Sequence, residues 1–465
     1  MLHEGLVAFD GGGEIVPSLA RAWELSDDGR LYRFHLDPEA RASDGSSITS
    51  ADVIRTFVRL LDPQTASPRA WVLDRVKGAA RFHANGGDPP EGLRAPAPDI
   101  VEVELAEASA AFLGLLAMPN AVVLPVDGGE SGAVSTGPWV LKERVGDSHL
   151  SFVPNPYWHG RAPAFRAVTV RILPEDFTRA AEFEVGRLDI LEIPPSVSDR
   201  WSSSPPGGAT IARRVALVVE YVGLNNDDPV LADVRVRRAL NHAVNGDLIL
   251  STLLGGRGVR ATGAVPPGLP GGGTGEAWSY DPARARELLA EAGVSSDWVL
   301  EMWQRPSPRV SAILEAVQAD LAAVGVRSVI RRRDWNALKA SIDLGLAPAF
   351  FINWYADYPD AENFLQPLFH SDNVGGGGNR ARFRDDGVDR LLAEMDLERD
   401  PARRAQRIAR ADRTVHALAP WIYLWHPVLE VAVSDRVRGF SPRPVPSSER
   451  WLDVRPVNSA AGGGG

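Results

Sequence analysis

Residues 299–330, VLEMWQRPSPRVSAILEAVQADLAAVGVRSVI, combine two short strand-like runs with one helical stripe. Val299–Trp303 and Val326–Ile330 are mostly apolar and of strand length. Between them apolar residues recur at steps of three and four: Val310, Ile313, Leu314, Val317, Leu321 and Val324. Parallel strands are joined by such a helical crossover. This stretch therefore predicts a parallel βαβ unit and places the chain in the α/β class.

Two further strands are predicted around this unit. The run Ala216–Leu224 is nearly all apolar and predicts a strand covered on both faces. Ala349–Trp354 predicts the next parallel strand, and it runs directly into Tyr355-Ala356-Asp357. Open α/β sheets bind their ligands beyond the carboxyl ends of the strands. Asp357 therefore stands where such a sheet places a ligand.

The first part of the chain predicts a β-rich module with one strong helix. Trp23–Ser26 and Leu31–Leu36 flank an Asp-Asp-Gly turn signal and predict a hairpin. Thr49 and Asp52 form a capping-box pattern ahead of a helix of about three turns. A glycine-rich loop, Asp127–Gly132, separates this module from the α/β region.

Composition excludes several classes of protein. The 465 residues carry a formal net charge of −10, which argues against a nucleic-acid binder. The absence of cysteine excludes disulfides, thiolate metal sites and thiol nucleophiles. The opening residues show no basic segment followed by an apolar run, so no signal peptide is predicted. No run reaches the roughly 18 apolar residues of a membrane span.

Motifs of the common enzyme classes are also missing. The sequence contains no HExxH, GxxxxGK[ST] or GxSxG motif. Gly256–Ala261 imitates a dinucleotide-binding fingerprint, but it follows a helical pattern and is predicted to be an interhelical loop. The nine histidines are scattered without metal-ligand spacing. We therefore predict no catalytic residue, no metal and no cofactor, and no enzymatic activity.

Residues 353–364, NWYADYPDAENF, hold three carboxylates within six positions, framed by Trp354, Tyr355 and Tyr358. Asp360 and Glu362 are typical of residues that cap the following helix. Asp357 is different, because a carboxylate beside aromatic walls can hold a cationic group through a charge-assisted hydrogen bond. Asp357 is the candidate ligand-binding carboxylate.

Ten collinear segments span nearly the whole chain: EGLVAFD, IVPSLARAWELSDDGRLYRFHL, SDGSSITSADV, TGPWVLKE, NPYWHG, EVGRLDI, DVRVRRALNHAV, YDPARARELLAEAG, WYADYPDAENF and VRGF. Together they resemble the solute-binding proteins of peptide ABC importers, the oligopeptide- and dipeptide-binding proteins of family 5.

The resemblance implies a two-lobed α/β fold of the periplasmic-binding-protein type, with an extra domain inserted in the N-terminal lobe. It implies that ligand is buried by closure at a hinge. The implied boundaries are residues 1–17, 133–222 and 427–457 for lobe I, 18–132 for the inserted β-rich domain, 223–426 for lobe II, and 458–465 for a loose C-terminal tail.

In peptide-binding members, the aspartate of this segment binds the ligand's α-ammonium, and the backbone around it pairs with the peptide as an added strand. The resemblance thus implies an ammonium contact at Asp357, a backbone contact at Tyr355 and a pocket wall at Trp354, with Asn353 completing the ligand-binding set. Oligopeptide binders have a basic residue shortly before the tryptophan, whereas Ala349–Ile352 contains none. The resemblance therefore identifies no residue of this chain that would bind the ligand carboxylate.

The implied partners are a short peptide and the permease subunits of an ABC importer, with no nucleic acid and a monomeric state. The implied location is periplasmic, or extracytoplasmic and membrane-associated. One alternative is the same fold binding an oligosaccharide, an opine or chelated nickel. Another is a truncated relative with an impaired cleft, because family members carry residues before the segment that resembles EGL. A glycosidase using Asp357 with Asp360 or Glu362 is the enzymatic alternative.

Overall fold

The computed structural model describes residues 1–125 and 134–457. The predicted loop Asp127–Gly132 and the predicted tail 458–465 lie outside the described residues. The chain divides into two compact units, Met1–Arg213 with Glu430–Gly465, and Arg214–Leu429. The boundaries predicted for two lobes and an inserted domain remain predictions. No helix in the described parts of the chain has both the length and the apolar character needed to cross a membrane.

The strands are β1 Val7–Phe9, β2 Ile15–Pro17, β3 Ala20–Leu25, β4 Leu31–Leu36, β5 Leu93–Ala97, β6 Ile100–Glu104, β7 Trp139–Val145, β8 His149–Pro154, β9 Val168–Arg171, β10 Ile190–Glu192, β11 Thr210–Val215, β12 Val218–Leu224, β13 Gly258–Arg260, β14 Val299–Gln304, β15 Arg327–Arg332, β16 Ala349–Tyr355, β17 Trp421–Val433, β18 Val437–Arg438 and β19 Arg455–Pro456. The α-helices are α1 Ser50–Leu61, α2 Ala79–Asn85, α3 Phe112–Leu116, α4 Asp176–Glu184, α5 Pro195–Ser203, α6 Val234–Ala243, α7 Gly246–Leu253, α8 Pro282–Glu291, α9 Pro308–Ala323, α10 Trp335–Asp343, α11 Glu362–Phe369, α12 Asp386–Leu397 and α13 Pro401–Leu418.

In the first unit, the predicted hairpin and capped helix are confirmed. β3 and β4 pair antiparallel within a sheet of order β3-β4-β6-β5. The Asp52 carboxylate accepts hydrogen bonds from the Thr49 backbone N–H, at 2.9 Å, and from the Thr49 hydroxyl, at 2.7 Å. These bonds hold the chain at the start of α1, where backbone donors lack helical partners. The same unit contains a second sheet of order β7-β8-β9.

In the second unit, the predicted βαβ unit is confirmed. β14 and β15 pair in parallel along their whole length, and α9 connects them. The apolar stripe of α9 is buried against the sheet, with Ile313, Leu314 and Val317 fully inaccessible to solvent. Consecutive strands here follow the order β12-β16-β14-β15. β12 lies inside this sheet and is almost entirely buried, as its apolar run predicts.

The prediction of a plain interhelical loop at Gly256–Ala261 is wrong in part, because Gly258–Arg260 forms β13 and pairs with β17. The physical reason is visible at Gly258. A β-carbon there would lie 2.8 Å from a Leu250 methyl and 3.3 Å from the His426 carbonyl oxygen. Glycine therefore lets β13 approach both α7 and β17 closely.

Candidate functional site

β16 has one edge that is only partly covered. It pairs with β12 over its full length, from Leu224↔Ala349 to Val218↔Tyr355. On its other side it pairs with β14 only at Met302↔Ala349 and Trp303↔Phe350. Within the described residues no strand pairs with the β14 side of residues 351–355. We call this stretch the β16 edge.

The register decides which backbone groups point out of the β16 edge. The Ala356 N–H donates to the Leu217 carbonyl at 2.8 Å, so Ala356 bonds toward the β12 side. Antiparallel pairing alternates residue by residue, and Trp354 therefore also bonds toward β12, while Asn353 and Tyr355 direct their N–H and C=O groups the other way. Unpaired groups of this kind are a template for pairing with another extended chain.

The side chains of the β16 edge differ in burial. Asn353 is exposed, and Tyr355 is 59% exposed. Trp354 lies partly buried against the core, and its indole N–H donates to the Asn363 carbonyl at 2.9 Å. The indole is therefore held in one orientation, while the exposed side chains of Asn353 and Tyr355 lie on either side of it in the chain.

Asp357 lies two residues after the end of the β16 edge and is half-buried. Its backbone N–H donates to the Asn363 side-chain oxygen at 3.0 Å. Asn363 is 3% exposed, and it thus fixes both Trp354, through its carbonyl, and the turn at Asp357, through its amide side chain. Sequence reasoning missed this positioning residue, since nothing in NWYADYPDAENF marks Asn363 as different from an ordinary helix residue.

The other two carboxylates of the segment are engaged in structural contacts. The prediction that Asp360 or Glu362 caps α11 is wrong in detail, because Ala361 is the N-cap residue; Asp360, one residue earlier, accepts from the N–H of Glu362, the first helical residue, at 2.8 Å. Both oxygens of Asp360 also accept from Arg404, each at 2.8 Å. Glu362 is 4% exposed and accepts a hydrogen bond from the Tyr358 hydroxyl. The fold thus employs both groups to hold the segment that carries Asp357.

Three arginines follow the carboxyl ends of β14 and β15. Arg309 donates to both oxygens of the buried Glu220, at 3.1 and 2.7 Å. The Arg333 guanidinium lies over Trp303, 5.0 Å from the ring centroid. Arg305 is exposed and makes no ion pair or side-chain hydrogen bond in the part of the chain that the structure describes.

Arg305 lies next to the β16 edge. The Trp303↔Phe350 register, continued by two residues, puts Arg305 beside Ile352, where the edge begins. Sequence reasoning searched for a cation before Trp354 in the same strand, whereas the structure supplies one from the neighbouring strand. The signal that could have found it is an arginine directly after a strand predicted to lie parallel to Ala349–Trp354.

His426, in β17 of the same sheet, is buried and is held by a hydrogen bond to the backbone. His426 is inaccessible to solvent, and its Nδ1 lies 2.8 Å from the Val218 carbonyl oxygen. A carbonyl only accepts, so Nδ1 carries the proton. Burial lowers the pKa of His426 to about 4, and the ring is therefore neutral at pH 7.

Comparison with known proteins gives a family and consistent relatives. The model of the bacterial extracellular solute-binding proteins, family 5, matches residues 14–376. A probable di/tripeptide-binding protein 5 of Pseudomonas aeruginosa is 29% identical over 480 residues, covering 96% of this chain and 88% of that protein. Heme-binding protein A of Haemophilus influenzae is also 29% identical over 480 residues, covering 95% of this chain and 85% of that protein.

Solved structures give the same fold. The Escherichia coli murein tripeptide-binding protein MppA has a TM-score of 0.80 at 25% identity, covering 98% of this chain and 93% of that one. Helicobacter pylori DppA, solved with the peptide STSA, has a TM-score of 0.80 at 23% identity, covering 98% and 92%. The predicted α/β fold of the periplasmic-binding-protein type is confirmed. The chain belongs to the bacterial extracellular solute-binding proteins, family 5.

Proposed function

We propose that this protein captures short peptides outside the cytoplasm and delivers them to the permease of an ABC importer. The observation that carries the proposal is the β16 edge, which offers backbone groups that pair with no strand among the described residues and is followed, two residues on, by the carboxylate of Asp357. Family membership and peptide-binding relatives support it. The protein acts as a monomer and performs no chemistry on its ligand.

The roles of the edge residues follow from their geometry. Asn353 and Tyr355 pair with the ligand backbone, because their N–H and C=O groups point away from β12. Backbone pairing is indifferent to side chains and therefore accepts many peptide sequences. Trp354 forms the wall beside the bound peptide. Asp357 binds the α-ammonium through a charge-assisted hydrogen bond, which fixes the amino end of the ligand.

Arg305 is the proposed partner of the ligand carboxylate. A guanidinium matches a carboxylate in geometry and charge. Asp357 is five positions after Ile352, the residue beside Arg305, which corresponds to about 16 Å along an extended strand. Peptides of up to roughly four or five residues fit this span, and the flexible arginine side chain can reach toward shorter ones.

The glycosidase alternative needs two carboxylates that flank a glycosidic bond. Asp360 is held by Arg404, and Glu362 accepts from the Tyr358 hydroxyl while buried. These contacts do not favour Asp360 or Glu362 as a catalytic partner of Asp357. These contacts support a binding role for the segment.

A thermal-shift series tests the proposal with three peptides that differ only at one end group and with two ligands of other classes. The probes are trialanine, N-acetyl-trialanine, trialanine amide, maltotriose and hemin, the last because one relative is named a heme-binding protein. We expect trialanine to raise the melting temperature, the acetylated peptide to have no effect, and the amide to have a reduced effect. A shift with maltotriose or hemin and none with trialanine would exclude peptide capture.

A further inference from the structure

Two arginines lie side by side just beyond the carboxyl ends of β14 and β15. The two strands pair in parallel as far as Gln304↔Arg332. The pairing continues for one more residue, because the Arg333 N–H donates to the Gln304 carbonyl at 2.9 Å. Arg305, the residue after Gln304, therefore has Arg333 as its neighbour on the adjacent strand. We call these two residues the Arg305–Arg333 pair.

Both side chains of the pair share one face of the sheet with Trp303. Successive side chains of a strand alternate between the faces, so Arg305 lies on the same face as Trp303. Pro306 favours this extended conformation in the residue before it. On β15, the Arg333 guanidinium lies over the Trp303 ring, 5.0 Å from its centroid. Two like charges thus stand on neighbouring strands, where they repel each other.

The carboxylates around the pair are already engaged. Glu301, on the same face, accepts from Arg331 at 2.9 Å; this hydrogen bond, together with the nearby charge of Arg333, holds the pKa of Glu301 below its usual range. Asp334, which follows Arg333 in the chain, caps the start of α10. Arg305 and Arg333 are both exposed, and neither forms an ion pair within the described ranges of the chain. The pair therefore offers an excess of positive charge to a ligand.

The pair lies where a peptide bound at the β16 edge would end. Pairing between β14 and β16 stops after Trp303↔Phe350, so a strand added to the β16 edge continues the line of β14. With its amino end at Asp357, such a peptide directs its carboxyl end toward Arg305. Arg333, on the next strand, is about 4.8 Å farther across the sheet, within reach of a long arginine side chain.

We propose that the Arg305–Arg333 pair selects peptides whose last residue is acidic. The inference rests on the proposed peptide capture and specifies the class of ligand. Arg305 binds the α-carboxylate, and Arg333 binds the side-chain carboxylate of a C-terminal aspartate or glutamate. A guanidinium matches a carboxylate in charge and in geometry. A second carboxylate also offsets the repulsion between the two arginines.

The contact with Trp303 makes Arg333 suited to this role. Ordering a long side chain on binding costs free energy, and a side chain that is already held in place costs less. Stacking over an aromatic ring holds the Arg333 guanidinium without using its hydrogen-bond donors. A peptide ending in a neutral residue leaves these donors to water. Specificity is this difference in affinity between the acidic and the neutral ligand.

Isothermal titration calorimetry at constant ionic strength tests the proposal with four tripeptides: Ala-Ala-Glu, Ala-Ala-Gln, Ala-Glu-Ala and trialanine. Glutamate and glutamine have nearly the same size and differ in charge. We expect Ala-Ala-Glu to bind about five- to tenfold more tightly than Ala-Ala-Gln. Ala-Glu-Ala carries the same charge at another position and should lack this advantage.

Two variants locate the preference. Arg333→Gln should lower the ratio of the Ala-Ala-Glu and Ala-Ala-Gln affinities to less than about twofold, because the side-chain carboxylate loses its partner. Arg332→Gln is the matched control: it makes the same charge change one residue earlier, on the opposite face, where Arg332 lies 3.7 Å from Glu315. It should keep the full ratio. Equal melting temperatures of the two variants confirm that both are folded.

The outcomes separate this inference from the proposed function. Equal affinities for Ala-Ala-Glu and Ala-Ala-Gln, in a protein that binds trialanine, would overturn the inference and leave peptide capture standing. An equal loss of the ratio in Arg332→Gln and Arg333→Gln would also overturn it, since the preference would then reflect overall charge. A preference for Ala-Glu-Ala as strong as that for Ala-Ala-Glu would contradict the position assigned to Arg333. If none of the four peptides binds, both proposals fail.

Discussion

The β16 edge and the cleft between β9 and β10 are both bordered by strand edges that pair with no further strand among the described residues, yet they have opposite surroundings. At the β16 edge one side is open, Asn353 and Tyr355 are exposed, and the strand runs into the carboxylate of Asp357. The cleft between β9 and β10 is lined by both strands, its walls are mainly apolar, and its charged side chains already have partners.

This difference separates two uses of the same backbone chemistry. A one-sided edge ending in a charge favours reversible capture, since each added backbone hydrogen bond contributes only about 0.5–1.5 kcal/mol and the charge selects one end of the ligand. The cleft between β9 and β10 has its charged side chains already paired, so it offers no charge that would select one end of a ligand. The comparison is sharpened by mutations that remove the charge, the carboxylate partner or a single backbone donor from the β16 edge.

The largest effect is expected from Asp357→Asn. The ligand ammonium would lose its counter-charge, and peptide binding should weaken by about 2–5 kcal/mol, or roughly 30- to 4,000-fold. Isothermal titration calorimetry with trialanine measures the change. Asp372→Asn is the matched control, because the Asp372 side chain is 91% exposed and lies outside the β16 edge. A loss smaller than tenfold would remove Asp357 from the site.

Local periodicity explains why much of the fold could be predicted from the sequence. The stripe from Val310 to Val324 gives α9, and the apolar run Ala216–Leu224 gives the buried β12. Asp52 lies three residues after Thr49, so the capping contact is local as well. In each case the residues that determine the element are neighbours in the chain, and their spacing carries the signal.

The geometry of the site depends on contacts that spacing does not encode. The open length of β16 is set by where its pairing with β14 stops, after Trp303↔Phe350. Arg305 belongs to the proposed site only because β14 lies beside β16 in the sheet. Asn363 holds Trp354 and Asp357 through two different atoms. The prediction of Asp357 came from its place after a strand and from the family resemblance, whereas these supporting contacts required the structure.

Arg305→Gln should have a smaller effect than Asp357→Asn. The variant removes a charged partner from the ligand carboxylate, and hydrogen bonds to charged groups contribute about 1.5–3 kcal/mol. Calorimetry should show this loss for trialanine and no loss for trialanine amide, which has no carboxylate. Arg286→Gln, an exposed arginine of α8, is the control for the change in net charge. Equal losses for the acid and the amide would contradict the assignment.

The smallest effect on peptide affinity is expected at Asn353, where a substitution can remove a single backbone N–H from the β16 edge. Asn353→Pro removes the N–H that points out of the β16 edge, while the pairing with β12 is kept because proline is tolerated where the N–H faces away from the neighbouring strand. Peptide affinity should fall by about 0.5–1.5 kcal/mol. Asn353→Ala keeps the N–H and should bind as the parent does, with both variants checked for an unchanged far-UV circular dichroism spectrum. If alanine and proline weaken binding equally, the ligand contacts the Asn353 side chain, and backbone pairing at this position is refuted.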